Sequence, residues 1–331
     1  MDAFFLIGGL FLALVFGRNN ISNLFGAAIF TRMVSMRIAT MIAILFVILG
    51  TIISGSGTSA SMLQLGSPKT MADAFVITLS AGLVLWGMTH QGMPVSIAQA
   101  MVGAIVAFSL FQNNLTHTDV LQKTVYAWIY SPFLAIGVAF VIFKIMRWSL
   151  KRFPIPLLYR DVFTRIGLII VGAFSAYALG ANNVSTISSP FISASGWEDL
   201  GIKLLICIVI GIGFFTADKK VIRTMGSGLF PLTPLEALIV VFSGALTLFL
   251  FSWGGLKMML EYYGFPSFPL VPVPMTSAII GSIIGVSFSK GGYGLKYNML
   301  GHILLSWVVT PLMAGIVCIY LMTVWSLVEK L

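Results

Sequence analysis

Charge is what this sequence most lacks. Only 9% of its 331 residues are Asp, Glu, Lys or Arg, whereas a soluble domain carries about 25%. Ten acids and nineteen bases cannot cover a water-soluble body of this size, which excludes a soluble enzyme. Cysteine is scarce too. Cys207 and Cys318 both lie in apolar stretches, which reads as packing rather than a disulfide framework. His90, His117 and His302 do not cluster, so there is no case for a metal site. No GxxxxGK[S/T] loop is present, which argues against powering by ATP within this chain. No His/Asp/Glu constellation or catalytic nucleophile stands out, so the chain reads as no enzyme, membrane-embedded or otherwise. The start, MDAFFLIGGLFLALVFG, has an acid where a cleavable signal wants bases, so the first apolar run is expected to be kept.

What fills the chain is apolar: 58% hydrophobic residues and a mean hydropathy of +1.02. Ten apolar stretches can be marked, at 2–17, 38–55, 73–90, 94–111, 123–146, 162–180, 199–216, 235–253, 272–289 and 300–325. Most approach the ~20 residues that carry a helix across ~30 Å of hydrocarbon. The expectation is an all-α integral membrane protein of about ten spans, multi-pass in the cell membrane. The net charge of +9 is no nucleic-acid footprint, because the bases sit between apolar runs. They are Arg32 and Arg37; Lys144, Arg147, Lys151, Arg152, Arg160 and Arg165; Lys219, Lys220 and Arg223; Lys290 and Lys296. With the central cluster in the cytoplasm, all four groups fall on that side and both chain ends fall outside. Lys69 is the exception, in an outside link.

Five spans then precede the central basic loop and five follow it, which sets the halves in opposite orientations. The expected domains are a first repeat at 1–150, a basic linker at 151–161 and a second repeat at 162–331. Sequence repetition supports the division. GRNNISN at 17–23 recurs as GANNVST at 180–186, and PVSIAQAMVGAI at 94–105 recurs as PVPMTSAIIGSI at 272–283. Such polar interruptions in matching places predict discontinuous helices or hairpins at the midplane of an inverted-repeat transporter.

Non-helical backbone at membrane depth has to line a cavity or lie within protein. Each GxNN segment offers glycine for a sharp break and paired amides, Asn19 with Asn20 and Asn182 with Asn183. Ser22, Asn23, Ser185 and Thr186 stand close by. Amides, hydroxyls and helix N-termini suit an oxyanion, and amide oxygens with released carbonyls suit a small cation. Close packing and capping are the alternative reading. Pro94 and Pro272 open a helix or hairpin arm, with Ser96, Gln99, Thr276 and Ser277 in the first turns. Arg18 either snorkels to the interface or pairs with the anion. Asp73, Asp218 and Glu236 stand at span ends.

These motifs resemble the inorganic phosphate transporter family, whose members include sodium- and proton-coupled phosphate symporters and some sulfate permeases. The family carries a GANDVAN-like motif in each half, matched by Gly17–Asn23 and Gly180–Thr186. It also has a PVSTTHA-like segment in each half, matched by Pro94–Ala100 and Pro272–Ala278. WIYSP at 128–132, KKVIRTMG at 219–226 and the ending from GGYGLKYNMLGH onward extend the similarity over nearly the whole chain. The resemblance implies an inverted-repeat secondary transporter, working by alternating access, and often a homodimer. Asn19, Asn20, Asn182 and Asn183 would lie at the centre, with Ser22, Asn23 and Ser185 beside them. Ser96, Thr276 and Ser277 would hold the anion, and sodium would sit at Asn20 and Asn183. No cofactor is implied beyond a coupling ion, Na+ or H+. The departures are chemical: Asn20 and Asn183 stand where the family has aspartates, and Ile97, Ala98 and Gln99 replace its TTH. Phosphate is the first expectation, sulfate or another tetrahedral oxyanion the alternative, and an ion channel the more distant rival.

Overall fold

A computed structural model describes residues 2–113, 118–153, 156–195, 199–217 and 219–328, leaving His117 and Asp218 outside the described residues. Every regular element in it is helical. The first half consists of α1 (Asp2–Phe30), α2 (Met36–Ser54), α3 (Ser56–Leu65), α4 (Met71–His90), α5 (Ile97–Phe111) and α6 (Thr118–Arg152). The second half opens with α7 (Leu157–Leu179), a π-helical segment (Gly180–Val184) and α8 (Ser185–Ser195). Then come α9 (Asp199–Phe215), α10 (Lys219–Arg223) and a second π-helical turn (Thr224–Gly228). α11 (Pro234–Leu250), α12 (Gly254–Tyr262), α13 (Met275–Ser289) and α14 (Tyr297–Val328) complete it. Most of the expected 151–161 linker is therefore helix, since α6 runs through Arg152 and α7 starts at Leu157.

Local chemistry sets the helix ends, and sets them alike in both halves. Thr70 caps α4 by accepting from the Asp73 amide at 3.1 Å, while Asp73 Oδ2 accepts from the Thr70 amide at 3.1 Å. Thr233 and Glu236 repeat this capping box at α11. Two of the acids noticed at span ends thus hold orphan amides of a first turn.

The expectation of about ten full-length spans is corrected. Six helices are long and apolar enough to cross a membrane, or seven if α11 and α12, bent by 66°, count together. The shortfall comes from four shorter helices, of which α9 and α11 have 17 residues each. α5 and α13 have 15 residues each, about 22 Å of helix against about 30 Å of hydrocarbon. Both start inside the molecule, after the extended stretches at 93–96 and 265–274.

A second correction concerns the GxNN copies. Breaks were expected in both, yet α1 passes through Gly17–Asn23 without interruption. Only the second copy departs from α-helix, at Gly180–Val184. The cause lies in the neighbours. Thr58 Oγ1 donates to the Ala181 carbonyl at 3.0 Å, and Thr51 Oγ1 shares its proton between the Val47 carbonyl at 2.8 Å and the Gly180 carbonyl at 3.2 Å, so both carbonyls of the π segment have a donor outside it. The corresponding residues facing α1 are Phe214 and Val221, which have nothing to donate.

The halves interlock. α1 packs on α9 and α7 on α2; α5 packs on α14 and α13 on α6. Glycine permits the closest crossings. A Cβ on Gly17 would lie 2.2 Å from the Ile210 carbonyl oxygen, and one on Gly180 would lie 2.1 Å from that of Val47. Gly103 meets the Pro311 carbonyl and Gly281 that of Pro132 in the same manner.

One end of the bundle gathers the basic links. Lys220 Nζ donates to the His90 carbonyl at 3.5 Å, and Lys290 pairs with Glu236 at 2.8 Å. Arg147, Lys151 and Arg160 line a cavity of about 320 Å³ with Thr233 and Glu236. The other end holds Asp73 and Lys69 in one cavity, and the pairs Asp119–Lys123 and Glu261–Lys257 in another of about 710 Å³.

Candidate functional site

The four motif segments meet in the interior, and every singled-out polar residue there except Arg18 is buried, the most exposed of them being Ser96 at 4%. α5 and α13 begin at this place. Ser96 caps α5, its Oγ accepting from the Gln99 amide at 3.4 Å, and Pro274 stands at the cap of α13 without a side-chain bond. Thr276 Oγ1 donates to the Val95 carbonyl at 3.2 Å, which joins the two N-termini directly. First-turn amides of a helix have no intrahelical acceptor and carry partial positive charge. Two such ends therefore face one another at the centre.

α1 brings the first GxNN copy against them. Asn20 Nδ2 donates to the Phe16 carbonyl at 3.1 Å; Asn23 Nδ2 donates to Asn20 Oδ1 at 2.8 Å and to Thr276 Oγ1 at 3.3 Å. The direction of this chain is fixed at its origin, because a carbonyl can only accept. Asn23 Oδ1 is then left facing the interior without a partner. Asn19 works differently. Its Nδ2 donates to Thr89 Oγ1 at 3.0 Å and to the Met93 carbonyl at 3.4 Å, while its Oδ1 is unpartnered. Gln99 Oε1 is a third buried oxygen without a partner. Ser22 gives its hydroxyl to the Asn19 carbonyl.

The second copy repeats part of this. Asn182 Nδ2 donates to Ser252 Oγ at 3.0 Å and to the Val271 carbonyl at 3.3 Å, and its Oδ1 accepts from the Val273 amide at 2.9 Å. Asn19 and Asn182 thus both tie down the extended stretch that leads to the half-helix of their own repeat. Asn183 Nδ2 is buried without an acceptor. Ser185 donates to the Gly55 carbonyl at 2.5 Å and Thr186 to the Asn182 carbonyl at 3.4 Å. Ser277 donates to the Pro274 carbonyl at 2.7 Å. Arg18 is half-buried on α1, with its Nε unpartnered.

The cluster contains no carboxylate, and no group of three His, Cys, Asp or Glu that could hold a metal is found among the described residues. Its chemistry is that of neutral donors, helix-end amides and a few uncommitted amide oxygens. Sequence reading missed Thr89 and Ser252, the hydroxyls that hold Asn19 and Asn182. Their signal was available only once the repeats were in register, where they occupy matching positions.

Known proteins share this architecture. The chain is 25% identical to a putative phosphate permease of Methanocaldococcus jannaschii over 313 residues, 94% of each chain. It is 25% identical to the sulfate permease CysP of Bacillus subtilis over 252 residues, 74% of this chain and 64% of that one. A solved structure described as the sodium-dependent phosphate transporter superposes with a TM-score of 0.77 at 20% identity, covering 98% of this chain and 99% of that one. Residues 16–259 match the model of the phosphate transporter family, so the chain belongs to the phosphate transporter family.

Proposed function

We propose that the protein is a secondary transporter of inorganic phosphate, coupled to sodium, that works by alternating access around the start of α5 and α13. The observation that carries this reading is the buried meeting of two half-helix N-termini beside amide groups with no partner. A phosphate bearing one or two protons needs both kinds of partner. Its unprotonated oxygens take the amides of α5 and α13 and the hydroxyl of Ser96, and those of Thr276 and Ser277 once they turn from the Val95 and Pro274 carbonyls. Its P–OH groups need acceptors, and Asn23 Oδ1 and Gln99 Oε1 are uncommitted oxygens of that kind. The same neutral oxygens suit a sodium ion bound near Asn20 and Asn183. Asn20 and Asn23 on one side and Asn183 on the other are the ligand-facing amides of this scheme; Asn19 and Asn182 position the approaches.

The orientation follows from the basic end lying in the cytoplasm. Each half-helix with its extended approach makes one crossing, and α9 and α11 make one each. That restores ten crossings, five per repeat, with both chain ends outside. A membrane transporter of this family is not an enzyme, and no step here makes or breaks a covalent bond.

Sulfate is a second reading, favoured by the missing carboxylates. A fully ionised anion needs donors only, and the relative from Bacillus subtilis is named as a sulfate permease. Uptake of labelled phosphate and sulfate into proteoliposomes, each with imposed sodium or proton gradients, separates the readings. Phosphate is expected to accumulate under an inward sodium gradient. Sulfate uptake without phosphate uptake would replace the substrate, and no movement of either anion would end the oxyanion reading.

A further inference from the structure

The two extended approaches are built to one pattern yet are held to different degrees. WIYSP at 128–132 of α6 recurs as WVVTP at 307–311 of α14. Both prolines lie inside their helices and both meet a glycine of the other repeat's half-helix, Pro132 against Gly281 and Pro311 against Gly103. Pro272 stands before Gly281 at the same spacing as Pro94 before Gly103. Trp128 and Trp307 therefore occupy equivalent places beside equivalent approaches. Trp128 Nε1 donates to the Pro272 carbonyl at 2.9 Å. Trp307 Nε1 is buried without any partner. The asparagines show the same imbalance: Asn182 Oδ1 accepts from the Val273 amide, whereas Asn19 Oδ1 accepts from nothing.

The approach at 265–274 is thus secured near the centre by Trp128, by Asn182 on both sides of its amide, and by Ser61 on the Leu270 carbonyl. The approach at 93–96, with the turn before it, keeps Asn19 on Met93, Thr224 on Gly92 and Thr276 on the Val95 carbonyl. It lacks the two bonds that would match Trp128–Pro272 and Asn182–Val273. A buried indole N–H without an acceptor carries a desolvation cost, which a second arrangement would relieve.

We propose that Trp128 and Trp307 are reciprocal latches that position the two approaches in turn. In the state described here Trp128 holds the approach at 265–274, next to the 710 Å³ cavity that Leu270 and Val271 line. In the opposite state Trp128 lets go, and Trp307 Nε1 donates to the Pro94 carbonyl while Asn19 Oδ1 takes the Val95 amide. The exchange rests on the alternating-access reading above but not on which anion is carried.

The test uses the full chain in nanodiscs, where both faces are open, with single cysteines introduced as Leu270→Cys or Met93→Cys. Labelling by a polar maleimide reports each approach, with the parent protein, whose Cys207 and Cys318 are buried, as baseline. Trp128→Phe should raise the 270-to-93 labelling ratio by about threefold to tenfold, the weight of one typical hydrogen bond. Trp307→Phe should lower the ratio, and it breaks no bond of the state described, so its folding is not at risk. Shifts of opposite sign support the latch; a merely structural tryptophan would loosen both probes together. Shifts of the same sign, or no shift in either variant, overturn it. If Trp128→Phe does not fold, an unchanged or raised ratio in Trp307→Phe is enough to overturn it. Opposite shifts in a protein that takes up neither phosphate nor sulfate would keep the latch and discard the substrate.

Discussion

The two GxNN copies share their glycine and both asparagines, yet one lies in an uninterrupted α-helix and the other winds through a π turn. The difference is not in the copies. It lies across the interface, where Thr51 and Thr58 offer hydroxyls to the second copy while Phe214 and Val221 offer none to the first. Because α7 packs on α2 and α1 on α9, each repeat sets the backbone of the other. The same trade shows at the centre. Asn23 reaches Thr276 across the repeats, but the corresponding pair is Thr186 and Ala98, and Thr186 turns back to its own helix.

The comparison can be broken most severely at the shared glycines. Gly17→Leu and Gly180→Leu each put a side chain into a carbonyl about 2 Å from the first added carbon, a clash beyond the 1–3 kcal/mol of ordinary overpacking. Neither variant should yield a monodisperse protein in detergent, while Gly137→Ala, with nothing within 4 Å, should elute normally. Next comes the cross-repeat amide. Asn23→Ala leaves Asn20 Oδ1 without its donor, so phosphate uptake should fall by about tenfold to a hundredfold, matching the ~1–3 kcal/mol of a broken buried network. Thr186→Ala removes one long bond and should change uptake by less than about threefold. Equal losses in the two would show that the asymmetry has no bearing on transport.

Restoring carboxylates gives a third contrast. Asn20→Asp sets an oxygen against the Phe16 carbonyl that Nδ2 now serves, and should lower thermal stability by about 1–3 kcal/mol. Asn183→Asp gives up no bond, because Asn183 Nδ2 has no acceptor. That variant should fold normally and show steeper sodium dependence of uptake; an unchanged sodium response would remove position 183 from the cation site. The smallest effect is expected at the π turn. Thr51→Val and Thr58→Val should each cost about 1 kcal/mol in detergent unfolding, and Phe214→Ala at the matching place should not introduce a π turn in α1.

Much of this was legible in the letters. The duplicated motifs marked segments that meet in the interior, where Asn23 bonds Thr276, Thr276 bonds the Val95 carbonyl and Asn182 holds Val271 and Val273, while Ser185 turns to Gly55 instead. Thr70-x-x-Asp73 and Thr233-x-x-Glu236 were readable as helix starts as well, though their acids were noticed only as interfacial. The number of full-length helices was not legible, since an apolar run reads the same whether it is one helix or an extended approach followed by a half-helix, as at 94–111 and 272–289. Nor could the π turn be foreseen from GANN, because its cause is the hydroxyls of α2 and α3. The WxxSP and WVVTP pair was on the page, but the match became meaningful only when both prolines were seen to face a glycine of the opposite half-helix.

The crossed packing of α5 on α14 also fixes an order of manufacture. α14 leaves the ribosome after every other element described, so the half-helix α5 waits through synthesis of the whole second repeat before its partner arrives. Until then its glycine face and the unfinished centre need other cover, from lipid, from the insertion machinery or from a chaperone. A chain stopped before α14 would therefore leave α5 without its main partner more than a hundred residues upstream of the stop, roughly the span from Phe111 to Tyr297.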